Sequence, residues 1–77
     1  MKDSIRIFIA DDNRLLREGL VSMLLEYEDM VVIGKAPSGN DALEKIKTLL
    51  PEIALIDIGM PDKDGIELTK ALRGCFH

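Results

Sequence analysis

Residues 5–12 read IRIFIADD, a mostly apolar run that ends in two carboxylates. A second apolar run, IALI at residues 53–56, also ends in a carboxylate, that of Asp57. If the two runs are neighbouring parallel strands, Asp11, Asp12 and Asp57 converge at the edge of the sheet where α/β proteins bind ligands. The two runs therefore predict both a sheet and a cluster of three acids.

The rest of the chain alternates between strand and helix patterns. Asn13 and Ser38 are predicted to cap two amphipathic helices, and Met30–Ile33 is a β-branched strand that Gly34 is expected to end. A third helix is predicted from about Gly65 to Arg73. The apolar stripes expected to face the sheet are Leu16, Leu20, Met23, Leu24 and Tyr27 in the first helix, and Ala42, Leu43, Ile46, Leu49 and Leu50 in the second.

This βαβαβα order indicates an α/β fold with three layers. Right-handed crossovers and helices on opposite faces place strand one between the other two, so the predicted parallel sheet has the order 2-1-3. The sequence shows neither a linker nor a repeat beyond the alternation. We therefore expect residues 1–77 to form one domain.

Composition narrows the class of protein. A hydrophobic fraction of 47% and a charged fraction of 31% are typical of a soluble globular domain. The net charge of -4, with Lys and Arg scattered, argues against nucleic-acid binding. No apolar run approaches the roughly 20 residues of a membrane span, so we expect a cytoplasmic protein.

The three acids call for a cation, because like charges held close together repel one another. Mg²⁺ suits one or two carboxylates plus water and phosphate, whereas the calcium-binding loop spacing is absent from the sequence. Beside such a metal a carboxylate can attack a phosphoryl group. The alternative is that each Asp is a helix cap or an exposed loop residue, as a lone Asp after a strand often is.

Two motifs resemble a known family. IADDN at residues 9–13 is similar to the acidic opening of bacterial response-regulator receiver domains, and DIGMPDKDG at residues 57–65 is similar to their phosphoacceptor loop, with Asp, Met-Pro and Gly in register. LREGL at residues 16–20 and VIGKA at residues 32–36 most resemble receivers that precede a LuxR/NarL-type DNA-binding domain. The resemblance implies half of a flavodoxin-like (CheY-like) fold, truncated after the third helix and without a DNA-binding domain.

The resemblance also implies roles for individual residues. Asp57 would accept phosphate from a sensor histidine kinase or a small acyl phosphate, and Asp12 would ligate Mg²⁺ directly. Asp11 would act mainly through a metal-bound water, and the backbone carbonyl of Gly59 would complete the protein's ligands. The chain would be a phosphoacceptor in two-component signalling and not an enzyme.

A complete receiver continues with a Ser or Thr and a Lys that bind the phosphoryl group, and these 77 residues contain no counterpart of them. We therefore expect impaired phosphoryl transfer. The alternative function is a non-catalytic interaction module that dimerises or titrates a kinase or regulator. Strand three would have an unpaired edge, through which two copies could form a homodimer. A marginal, aggregation-prone fragment is the competing expectation.

Overall fold

The computed structural model describes residues 4–57, 59, 60, 62 and 70 of the protein. Three strands form one parallel sheet in the order β2-β1-β3, which confirms the predicted α/β class and strand order. The predicted third helix lies outside the described residues except for Lys70. None of the described helices is long and apolar enough to cross a membrane. The elements are β1 (Ile5–Ala10), α1 (Arg14–Leu24), β2 (Met30–Ala36), α2 (Gly39–Leu49) and β3 (Ile53–Ile56).

The central strand β1 is buried on both faces, as its near-continuous apolar sequence predicts. Phe8 and Ala10 belong to a core cluster with Ala42 and Ile46 of α2. Ile9, which lies between Phe8 and Ala10 in the strand, lines a cavity together with Leu20 of α1. Since successive side chains of a strand point to opposite faces, α1 and α2 cover opposite faces of the sheet.

Strand β2 differs from its predicted bounds. It continues through Gly34 to Ala36, and its pairing with β1 shifts register between Ile7 and Phe8. A Cβ on Gly34 would lie 2.9 Å from Cε2 of Phe8 and 2.7 Å from Cδ1 of Leu49. Glycine therefore stands here because a buried ring approaches the backbone, and the prediction that it ends the strand was wrong.

Both predicted helix caps are confirmed. The Asn13 Oδ1 accepts a hydrogen bond from the Leu16 N–H at 3.1 Å, and the Ser38 Oγ accepts one from the Asp41 N–H at 3.2 Å. Each bond satisfies a backbone donor that the first turn of a helix leaves without an intrahelical partner. Each helix therefore has a cap supplied by its own local sequence.

The C-terminal end of α2 is held by a residue of β1. Leu50 adopts a left-handed conformation (φ 51°, ψ 60°) after the last helical turn. The Arg6 guanidinium donates to the carbonyls of Leu49 and Leu50, the latter at 2.7 Å. A cation at this end also favours the helix dipole, so Arg6 ties α2 to the sheet.

The predicted apolar stripe of α1 is not covered as expected. Leu16 and Met23 of α1, and Tyr27, which lies beyond the observed end of the helix, are each 52% exposed, and no residue of α1 is fully buried. Leu20 and Leu24 are half-buried. The stripe predicted for the second helix holds for Ala42 and Ile46, which are buried, but fails for Leu50, which follows the end of α2 and is exposed.

Candidate metal centre

The register of the sheet makes all three strands end at the same level. Ala10 of β1 pairs with Ala36 of β2 and with Ile56 of β3. Beyond these pairs the Asp11 N–H donates to the Ala36 carbonyl at 3.1 Å, and the Asp57 N–H donates to the Ala10 carbonyl at 2.9 Å. The residues that follow β1 and β3 are therefore held side by side by backbone bonds.

This arrangement brings together the three acids singled out from the sequence. One carboxylate oxygen each from Asp11, Asp12 and Asp57 lies within 4.8 Å of the other two. Asp11 is buried, Asp57 is half-buried and Asp12 is exposed. Three close carboxylates with partial access to solvent fit Mg²⁺, which takes oxygen ligands and keeps several waters.

The buried acid is fixed by its own segment and by α1. The Asp11 Oδ1 accepts the Asn13 N–H at 2.8 Å, and the Arg17 Nη1 donates to the Asp11 backbone carbonyl at 2.7 Å. The Arg17 side chain is only 12% exposed. Sequence analysis missed this arginine. Its position one turn into α1 gave no local signal, because the contact depends on how the helix leaves the strand.

The segment after β3 places Gly59 next to Asp57. The Gly59 N–H lies 3.3 Å from the Asp57 Oδ1, to which it donates a weak hydrogen bond. Met60, the next residue, is buried in the core cluster against α2. The proximity of Gly59 agrees with the expected site, and the ligand role of its carbonyl stays a prediction.

A cavity of about 220 Å³ opens beside the carboxylates, between α1 and β3. Its walls are mainly apolar, and Asp11 and Asp57 contribute the polar part of them. A low-dielectric wall strengthens the interaction between the carboxylates and any cation they hold. The lining residues are Ile9, Ala10, Asp11, Leu20, Leu55, Ile56 and Asp57.

An ion pair between Glu18 and Lys35 links α1 to β2. The Lys35 Nζ lies 2.8 and 2.7 Å from the two carboxylate oxygens of Glu18. The hydrogen bond from Lys35 lowers the pKa of Glu18 below its ordinary value of 4.5. The helix that follows Asp12 is therefore held partly by charge.

Comparison with known proteins agrees with this geometry. Residues 7–75 match the response regulator receiver domain family. The chain belongs to that family. It is 47% identical over 68 residues to the transcriptional regulatory protein LnrK of Bacillus subtilis, covering 88% of this chain and 31% of LnrK. Receiver domains are signalling domains of two-component systems, and this receiver is one of them.

Solved structures show the same fold. The receiver domain of NarL from Mycobacterium tuberculosis superposes with a TM-score of 0.91 at 40% identity, covering 95% of this chain and 59% of that one. A CheX–CheY complex with BeF3 and Mg from Borrelia burgdorferi gives a TM-score of 0.86 at 25% identity, over 96% of this chain and 56% of that one. The receiver thus spans about a third of the curated relatives and under two thirds of these solved chains.

Proposed function

We propose that this receiver binds Mg²⁺ through Asp11, Asp12, Asp57 and the Gly59 carbonyl, and that Asp57 accepts a phosphoryl group. The observation that carries the proposal is the meeting of three carboxylates within 4.8 Å at the ends of β1 and β3. The likeness to a CheY complex that holds BeF3 and Mg supports it. When bound, the cation would offset the charge of the cluster and of an incoming phosphate.

The chemistry follows from the position of Asp57. A carboxylate oxygen of Asp57 attacks phosphorus and forms a new P–O bond, while the bond from phosphorus to the donor breaks. The donor would be a phosphohistidine of a sensor histidine kinase, whose imidazole leaves with the bonding electron pair, or a small acyl phosphate, whose carboxylate leaves. The Gly59 N–H, at 3.3 Å, helps to hold the attacking group in place.

The 77 residues by themselves are expected to transfer phosphate slowly. The resemblance assigns a Ser or Thr and a Lys to the phosphoryl group, and these 77 residues contain no counterpart of either. Removing one preorganised group that stabilises developing charge costs about 10² to 10³ in rate. We therefore expect phosphoacceptance with impaired kinetics.

Intact-mass spectrometry tests the proposal directly. The chain is incubated with Mg²⁺ and acetyl phosphate, and we expect an adduct of about 80 Da, the mass of one phosphoryl group. The adduct should be absent from Asp57→Asn and present in the matched variant Asp29→Asn, which changes an exposed Asp before β2. An adduct that survives Asp57→Asn would show that another residue is the acceptor.

A second candidate function rests on the exposed edge of the sheet. Among the described residues, β3 pairs only with β1, and Ile53 and Leu55 are 43% and 39% exposed. An open apolar edge is a surface to which another strand can add. Here the receiver would act as an interaction module, by pairing β3 with β3 of a second copy about a two-fold axis.

The molar mass in solution tests this homodimer. Static light scattering should give twice 8.6 kDa for the wild type. Leu55→Lys should return the mass to that of a monomer, because a charge at the edge opposes strand addition. Leu25→Lys, at an exposed site after α1, is the control and should leave the dimer intact. A wild-type monomer at micromolar concentration would overturn this function.

A further inference from the structure

Asp62 occupies the N-terminal end of α2. Its Oδ1 accepts the Gly39 N–H at 2.9 Å, and its Oδ2 accepts the Asn40 N–H at 2.9 Å. Backbone donors at a helix start have no intrahelical partner, and the dipole favours a negative charge there. Both carboxylate oxygens therefore accept bonds from the start of a helix whose first residue, Gly39, precedes Asp62 by 23 residues.

This contact differs from the ordinary cap of the same helix. The Ser38 Oγ bonds the Asp41 N–H within one turn, so it stabilises α2 without reference to any other element. Asp62 takes the two preceding donors and comes from the segment that follows β3. Its bonds connect α2 to the segment that carries Asp57.

The same segment has a second attachment to α2. Met60 is 3% exposed and packs in the core cluster with Ala42 and Ile46. Gly59 lies in the sequence between Asp57 and the buried Met60, and its N–H donates to the Asp57 carboxylate. The backbone of Gly59 is thus set by Asp57 on one side, and by Met60 and then Asp62 on the other.

We infer that Asp62 is a positioning residue for the metal centre, because its paired bonds to the start of α2 hold the backbone of Gly59 beside Asp57. This inference rests on the proposed function, since it concerns the Mg²⁺ affinity of that site. Asp62 itself need not touch the ion. Groups that orient metal ligands typically alter metal affinity by about 10- to 100-fold when they are removed.

Calorimetric titration with Mg²⁺ alone tests the inference on the full chain. We expect Asp62→Ala to weaken Mg²⁺ binding about tenfold. Asp62→Asn, which keeps one carbonyl acceptor, should recover part of the loss. Ser38→Ala is the matched control, because it removes a cap from the same helix end and should leave Mg²⁺ affinity unchanged.

Amide NMR separates positioning from simple loss of charge or stability. In the wild type, Mg²⁺ should shift the Gly39 and Asn40 amide signals through Asp62, and in Asp62→Ala they should no longer respond. The affinity difference should also persist in high salt, where interactions between exposed charges are screened.

The outcomes distinguish two failures. Failure of the wild type to bind Mg²⁺ would remove the proposed function and this inference with it. Binding by the wild type and by Asp62→Ala with equal affinity would overturn the inference alone. Equal weakening by Ser38→Ala and Asp62→Ala would also overturn it, since helix stability would then explain the effect.

Discussion

The two faces of the sheet are built from the same kinds of element but are stabilised differently. On one face α2 buries Ala42 and Ile46 against Phe8, and it is tied at one end by Arg6. On the other face α1 buries no residue fully. This helix relies on the bond from Arg17 to the Asp11 carbonyl and on the Glu18–Lys35 pair. Helix α2 thus buries its own apolar side chains, whereas α1 lies over the buried Ile9 of β1, keeps its own apolar side chains partly exposed and adds polar contacts.

Truncating one apolar side chain on each face should give the largest contrast. Ile46→Ala is expected to lower the free energy of unfolding by about 2–5 kcal/mol, because it removes buried methyl groups and leaves a cavity. Leu16→Ala, at a 52% exposed position, should cost about 0.5 kcal/mol or less. Urea unfolding followed by circular dichroism measures both.

Because a small domain is only marginally stable, Ile46→Ala could unfold it completely. Ile46→Val is the smaller truncation and should lower the free energy of unfolding by about 1 kcal/mol. Equal losses at positions 46 and 16 would show that both helices are packed alike, which would contradict the comparison.

Two glycine substitutions, one on each face, should change the free energy of unfolding in opposite directions. Gly34→Ala would bring a methyl group within 3 Å of Leu49 and of the fully buried Phe8, and overpacking of this kind costs about 1–3 kcal/mol. Gly19→Ala in α1 meets nothing within 4 Å and should stabilise by up to about 1 kcal/mol through helix propensity. The urea midpoints should move in opposite directions. A lower midpoint for Gly19→Ala would indicate an unrecognised close contact on the α1 face.

Loss of the Glu18–Lys35 pair at low pH should give the smallest change in the free energy of unfolding. Since the folded-state pKa of Glu18 is lowered below 4.5, its pairing with Lys35 stabilises the fold above about pH 4.5. That contribution is lost as the pH falls through the lowered pKa. Glu18→Gln should therefore be less stable than wild type at pH 7, and the gap in unfolding free energy should close towards pH 3.

The wild type and Glu18→Gln differ in this one side chain, so the difference between their unfolding free energies isolates Glu18. High salt at pH 7 should narrow the same gap, because the pair is exposed. A gap that stays constant from pH 7 to pH 3 would exclude the ion pair as its cause.

Features of this receiver that depend on contacts between residues close together in the sequence were predicted correctly. The helix starts at Asn13 and Ser38 were predicted correctly, because a cap is a contact between near neighbours. The meeting of Asp11 and Asp57 was also predicted, since strand order fixes which strand ends are adjacent. Their roles as metal ligands and phosphoacceptor remain predictions.

The errors arose where a distant residue decides the outcome. Gly34 was interpreted as a strand breaker, whereas the ring of Phe8 on the neighbouring strand explains it. The stripe of α1 was expected to be buried, but periodicity only identifies the apolar face and cannot show how much of it a neighbour covers. The contacts of Arg17 and Asp62 left no sequence signal at all.

The sequence by itself determined the alternation of strands and helices from β1 to β3 and the caps at Asn13 and Ser38, because these depend on hydrophobic periodicity and on bonds within a few residues. It also determined the sheet order, because crossovers between parallel strands are right-handed. Tertiary structure decided how deeply each helix is buried and how Asp62 reaches the start of α2. Such features depend on distances between segments far apart in the chain. Those distances are fixed only when side chains from several elements pack together.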